Sequence, residues 1–507
     1  MTTEAEIRRL ALACFVPGFV GQTPPDWLLR GLADGLGGVI LFGSNLGDGD
    51  GGGGGDGGGG LAGLVGRLRA AAGRDLVIGL DEEGGDVTRL DTVRGSAAPG
   101  AAALGWLDDP AATEAVYAGI GARLAAAGVT LDLAPVADVN VDPANPVIGV
   151  RSFSADPVVA ARQVAAAVRG IQRTGVAACA KHFPGHGATS ADSHHEVATL
   201  HRDRDQLAAV EYLPFRAAIA AGCRAVMTGH LLVPALDRQL ATISRQITTG
   251  VLREELGFTG TVLTDALEMA AVSATIGMVD GFVAALLAGA DTVESGALGY
   301  PELLTAIPDA VLAAVRAGRL SVERLTEAAR RTALLAATDP AATRPPPVVE
   351  DVAARCVEVI GSLPALDRPL VVECRSANGM ASGPLPWTLA GRLRERLPRA
   401  ELLIADGPES LSGLADLPAG RQLVAVVRDP SRHPWQRRLL ELAADRRRAG
   451  AATVLVDVGW PVESAELAGM PLIRTRGIAP GLLAAAAELL APNPPAGGRD
   501  GRRQGER

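Results

Sequence analysis

The stretch AKHFPGHGATSADSHHEV, residues 180–197, concentrates groups suited to moving protons and gripping polar substrates. It carries Lys181, the one lysine in a chain whose 48 basic residues are otherwise all arginine, and four of the seven histidines: His182, His186, His194 and His195. Lysine is a compact, rotatable point charge, whereas arginine is a planar fork of five donors. A single lysine kept here points to a small polar pocket that a guanidinium does not fit. Pro184, Gly185 and Gly187 forbid a continuous helix, so His182 and His186 are not a metal pair one helical turn apart. The segment is expected to leave a strand as a loop, hinged at the two glycines. Asp192 and His194 stand two apart, close enough in a bent loop for the carboxylate to accept from a ring N–H. That contact fixes the tautomer and raises basicity, which makes His194 a candidate acid/base.

Three other stretches carry chemistry. In GTVLTDALEMA, Asp265 ends a Val-Leu run, where a carboxylate can serve as nucleophile, base, metal ligand or helix cap. GLDEEGGDVTRL supplies Asp81 and Arg89, and NPVIGVRSFS supplies Arg151. Asp and Arg side chains together suit a sugar, because they hydrogen-bond vicinal hydroxyls and an acetamido carbonyl. Should His194 not serve as acid/base, Glu83 and Glu294 are the next carboxylates to consider.

These residues are far apart in sequence, so the fold must gather them. Up to about residue 336, short apolar runs alternate with Ala-rich segments of helical period, the pattern of βα units around a buried parallel sheet. Eight strands are predicted, at 12–16, 38–42, 76–80, 130–134, 177–181, 224–228, 261–264 and 291–294. Asn45, Asp81, Lys181 with His182, His230 and Asp265 follow or end five of them. In a (β/α)8 barrel those ends converge on one face. The predicted fold class is α/β, an N-terminal TIM-like barrel over 1–336 followed by a smaller α/β sandwich domain over 351–492. A Pro-rich linker is read over 337–350 and a disordered tail over 493–507. The glycine run at 47–60 lacks the offset Lys-Ser/Thr of a phosphate loop and reads as a flexible connection.

Hydrophobic residues make up 48% of the chain and aromatic ones 3%, so the core is mainly Ala, Val and Leu. A net charge of −9 argues against nucleic acid or an anionic membrane as partner. Five scattered cysteines without metal-ligand spacing fit a reducing, cytoplasmic setting. The N-terminus predicts no secretory leader, and no apolar run is long enough to span a bilayer.

Taken in order, GGVILF, DEEGG followed by VTRL, APVADVN, NPVIGVRSF, KHFPGHG, DSH and GFTGTVLTDALEMAAV resemble glycoside hydrolase family 3, in its β-N-acetylglucosaminidase branch. The resemblance spans roughly residues 8–340, with a weaker match to the trailing α/β sandwich of longer members. It implies Asp265 as catalytic nucleophile, His194 as general acid/base and Asp192 as the carboxylate orienting it. Asp81, Arg89, Arg151, Lys181 and His182 would hold a terminal N-acetylglucosamine. The implied enzyme is a retaining exo-glycosidase without metal or cofactor, acting on cell-wall muropeptides or chito-oligosaccharides. A histidine acid/base does not repel an anionic acceptor, so a phosphorylase is the alternative. A His/Asp metallohydrolase built on His182, His186, His194 and Asp265 is a weaker one. The chain departs from the family pattern at Glu82 and Asp86, which replace Gln and Arg. It also lacks a proline after the Asp-x-His pair, and the glycine run stands where a helix usually starts.

Overall fold

The computed structural model describes residues 2–47, 60–190, 197–337, 351–376, 381–383, 385–461 and 467–492. The glycine run, the linker and the tail therefore lie almost wholly outside the described residues. The chain divides into two compact units. The first comprises Met1–Val352 with Ala377–Pro386, and the second Ala353–Ser376 with Trp387–Arg507.

The first unit is built on parallel strands β1 (Phe15–Pro17), β2 (Gly38–Leu41), β3 (Val77–Leu80), β4 (Leu131–Asp132) and β5 (Ala177–Phe183). A short strand β6 (Ala198–Thr199) follows, then β7 (Ala225–Thr228), a second short strand β8 (Leu231–Leu232), β9 (Thr261–Thr264) and β10 (Val293–Ser295). The main sheet runs β2-β3-β4-β5-β7-β9; β1 pairs with β10, and β6 with β8, all in parallel. The β1-β10 pair and the main sheet meet at both edges. A parallel bridge joins Leu263 to Thr292, and Gly37 N–H donates to Phe15 O at 3.1 Å. The eight predicted runs are thus the eight staves of a TIM-like barrel, each observed within three residues of its expected bounds.

Local chemistry sets the helices between the staves. Asp109 and Asp156 cap helices Pro110–Ala126 and Pro157–Gln172, each with proline at the first helical position. That residue lacks the N–H which would be orphaned there. Inside the barrel, Val16, Ile40, Val77, Leu131, Ala177, Cys179, Ala225, Met227 and Leu263 interlock as a dry core. Parallel strands buried on both sides read as continuous apolar runs, which is why periodicity found them.

The second unit contains β11 (Glu358–Ile360), β12 (Leu370–Cys374), β13 (Glu401–Ala405), β14 (Leu423–Val427), β15 (Thr453–Asp457) and β16 (Leu472–Arg474). Their order is β11-β16-β15-β14-β12-β13, with β11 antiparallel to β16 and the rest parallel. The edge strand β11 is three residues long and half exposed.

Candidate active site

Asp81 follows the last residue of β3, Lys181 and His182 lie inside β5, and Asp265 follows β9. β5 runs two residues further than predicted, so the loop begins at Pro184. Gly185 and Gly187 are places of close packing. A Cβ on Gly185 would stand 2.6 Å from Glu211 Cγ, and one on Gly187 1.9 Å from Val139 O. Close packing thus gives a steric reason for glycine at both positions.

Lys181 is the centre of a buried ion-pair network. Its side chain is 3% exposed, with Nζ 2.6 Å from Asp81 Oδ1 and 2.8 Å from Glu83 Oε1. Arg151 grips Glu83 with two donors, Nε to Oε2 at 2.9 Å and Nη2 to Oε1 at 2.8 Å. Arg89 Nη2 donates to Asp81 Oδ2 at 3.1 Å, and its Nη1 donates to Ala381 O at 2.9 Å. Burial by itself would raise both carboxyls. For Asp81, Lys181 and then Arg89 outweigh it and hold the group well below the usual carboxylate range. For Glu83, Arg151 and then Lys181 bring it down to about 2. Burial would likewise discharge Lys181, but Asp81 and Glu83 keep it charged, above the usual lysine range. A compact ammonium sits between the two carboxylates.

Asp138 organises the histidines. Its Oδ2 lies 2.7 Å from His182 Nδ1, and its Oδ1 accepts from the backbone N–H of His186 at 2.7 Å. A ring held at Nδ1 by a carboxylate presents Nε2 to its other side. His186 Nδ1 lies 2.6 Å from Thr189 Oγ1, and burial pushes its pKa down to about 4. Among the described residues, no group of three or more His, Cys, Asp or Glu side chains could hold a metal ion. Asp192 and His194 lie outside the described residues.

Asp81, Arg89, Arg151, Lys181, His182 and Asp265 line one cavity of about 380 Å³, together with His186, Glu268 and Glu294. Every described candidate is thereby brought together on the face where β3, β5 and β9 end. A roomier hollow of about 660 Å³ opens near Arg224, Gly260 and Arg330, around residues that precede β7 and β9. That is the end of a barrel where catalytic groups are not found.

Two polar strand-end residues serve structure. Asn45 ties loops together through Phe42 N–H, Phe19 O and Gly21 O. His230 lies 2.8 Å from Thr242 Oγ1 and, through Nε2, 2.9 Å from Ala266 O, and so steadies the chain just past Asp265. Glu82, which departs from the family pattern, accepts from Arg89 N–H, Leu90 N–H and the Thr88 hydroxyl. It shapes the loop that delivers Arg89 and does not line the cavity. Sequence reasoning passed over Asp138, although it lies within the quoted APVADVN. It named Glu83 and Glu294 without giving either a place among the binding residues. For Glu83 the available signal was a carboxylate three residues past β3; Glu294 lies within β10, and Asp138 six residues past β4.

The comparisons agree with this geometry. Residues 32–335 match the model of the glycosyl hydrolase family 3 N-terminal domain. A solved structure described as a family 3 β-N-acetylglucosaminidase from Paenibacillus sp. str. FPU-7 superposes with a TM-score of 0.83 at 31% identity, covering 96% of each chain. A β-hexosaminidase of Thiobacillus denitrificans is 38% identical over 275 residues, which is 52% of this chain and 72% of that protein. β-Hexosaminidase A of Pseudoalteromonas piscicida is 36% identical over 278 residues, and the chain spans 45% of its length. With the matched domain covering every barrel strand but β1, the chain belongs to glycosyl hydrolase family 3, as a glycoside hydrolase of the β-hexosaminidase type.

Proposed function

We propose that the protein is a retaining exo-β-N-acetylglucosaminidase that removes a terminal N-acetylglucosamine from muropeptides or chito-oligosaccharides. The observation that carries this reading is one cavity holding the Asp265 carboxylate beside Asp81, Lys181, Arg89 and Arg151. The charged network supplies donors and acceptors for the hydroxyls of one sugar, and its rigidity fixes that sugar's carbon one against Asp265. Asp265 attacks this carbon and the glycosidic bond breaks. His194, oriented by Asp192, protonates the leaving oxygen. The same histidine then takes a proton from water as the glycosyl-enzyme is hydrolysed. Glu83 is unsuited to the acid role, because Arg151 and Lys181 keep it ionised. No described helix is long and apolar enough to cross a membrane. All five cysteines are buried and free, which supports a reducing, cytoplasmic setting.

The test uses a nitrophenyl β-N-acetylglucosaminide. Asp265→Ala should fold normally and lose activity by several orders of magnitude. His194→Ala should still release the activated phenol in a burst, stall as the glycosyl-enzyme, and be rescued by azide to give the β-glycosyl azide. An α-azide, or no rescue, would overturn the assignment. Release of the sugar 1-phosphate in phosphate buffer would replace hydrolysis with phosphorolysis.

A further inference from the structure

Beside Asp265 stands a carboxyl to which the mechanism above gives no task. Glu294 lies in β10, and its backbone clasps the nucleophile's loop on both sides. Glu294 N–H donates to Thr264 Oγ1 at 3.3 Å, and Leu267 N–H donates to Glu294 O at 3.2 Å. Asp265 sits between these two tethered residues. The Glu294 side chain faces the same cavity. The residue is only 5% exposed, and its buried Oε2 has no hydrogen-bond partner.

The charged groups acting on Glu294 are Asp265 and Glu268 from the segment after β9, Asp81 after β3, and Lys181 in β5. Three of the four are carboxylates, and the one cation is already shared between Asp81 and Glu83. Burial first, then the charge of Asp265, push the Glu294 carboxyl well above its usual range. Burial and these neighbours favour the carboxylic acid form, which has one O–H to give in a pocket rich in acceptors. Glu268, which lines the same cavity, packs its Oε1 against Gly296, where an added Cβ would lie 1.7 Å away.

We propose that Glu294 is a positioning residue for Asp265, donating its carboxylic O–H to the carboxylate oxygen that does not attack the sugar. This rests on the reading of Asp265 as nucleophile. The proton stays on Glu294 throughout. The bond orients the attacking oxygen and stabilises the charge that returns to Asp265 when the glycosyl-enzyme breaks down. Ionisation of Glu294 would remove the donor and set a second negative charge beside the nucleophile. Activity therefore falls as pH rises through the raised pKa.

The experiment follows kcat/KM against pH with a 2,4-dinitrophenyl N-acetylglucosaminide. This leaving group departs unprotonated, so His194 does not shape the first step. Glu294→Gln keeps an N–H donor and cannot ionise. It should stay within about threefold of wild type at pH 6 and lose the alkaline limb. Glu294→Leu should lose about 10²-fold in kcat at every pH with KM little changed, the usual cost of one such donor. An unchanged limb in Glu294→Gln, or wild-type kcat in Glu294→Leu, overturns the proposal. Should Glu294→Leu not fold, the infrared band of a protonated carboxyl in wild type at pH 7, absent from Glu294→Gln, decides the matter. Peptide mapping of a 5-fluoro-glycosyl adduct separates the two readings. An adduct away from Asp265 refutes the nucleophile itself. An adduct on Asp265 with wild-type Glu294 variants refutes the positioning role alone.

Discussion

Replacing Glu83 by Gln removes one charge from the centre of the ion-pair network with almost no change of shape. In the folded protein the Glu83 carboxyl is lowered from 4.5 to about 2, because Arg151 and Lys181 outweigh its burial. A shift of ~2.5 units, at ~1.4 kcal/mol each, corresponds to about 3 kcal/mol in favour of the ionised, folded form. Removing one member of a buried pair independently leads to ~3–5 kcal/mol, since the partner charges stay behind. After the substitution Lys181 keeps its bond to Asp81, which already binds Arg89, and Arg151 loses its paired bonds to a carboxylate. The barrel of Glu83→Gln should thus be about 3 kcal/mol less stable at pH 7. A depressed carboxyl contributes its stability in full above the unfolded pKa of 4.5 and loses it as pH falls toward 2. The gap between wild type and variant should therefore narrow steadily from pH 5 to pH 3. Urea titration read by hydrogen exchange on peptides from β5 reports the barrel alone. The freed ammonium should also cost roughly 10–10²-fold in kcat/KM, about the loss of one charged hydrogen bond. A gap below ~1 kcal/mol at pH 7, or one that ignores acid, would refute the view that charge pairing holds this site.

Other consequences can be measured directly. Lys181→Arg should fold but lose roughly 10–10³-fold in kcat/KM, because one or two buried hydrogen bonds cannot be remade by a planar fork; wild-type kinetics would refute the tight-pocket argument. Asp291→Ala should lower barrel stability by about 3–5 kcal/mol without changing KM, since Arg324 at 2.9 Å, Arg331 at 3.6 Å and Arg253 converge on this buried carboxylate far from the sugar. Gly187→Ala should lower both Tm and kcat, because its Cβ would meet Val139 O at 1.9 Å; a variant with wild-type Tm would show that the loop yields.

The barrel was legible because its signals are local. Val and Leu runs of four or five residues, buried on both faces, mark β2, β3, β7 and β9 wherever they pack. Asp81, Lys181 and Asp265 could be named because each stands at the end of such a run, and barrel geometry sends those ends to one face. The nature of their partners was not legible. Lys181 meets Asp81 across 100 residues, Arg151 meets Glu83 across 68, and His182 meets Asp138 across 44. No spacing rule links such pairs, because closing the barrel, and not the chain between them, sets their distance. The same holds for Glu82, a departure from the family pattern whose partners are the backbone N–H groups of Arg89 and Leu90. The chemistry of each side chain belongs to the sequence. Its charge state, as the opposite shifts of Glu83 and Glu294 illustrate, depends on burial and on neighbours that only the tertiary structure supplies.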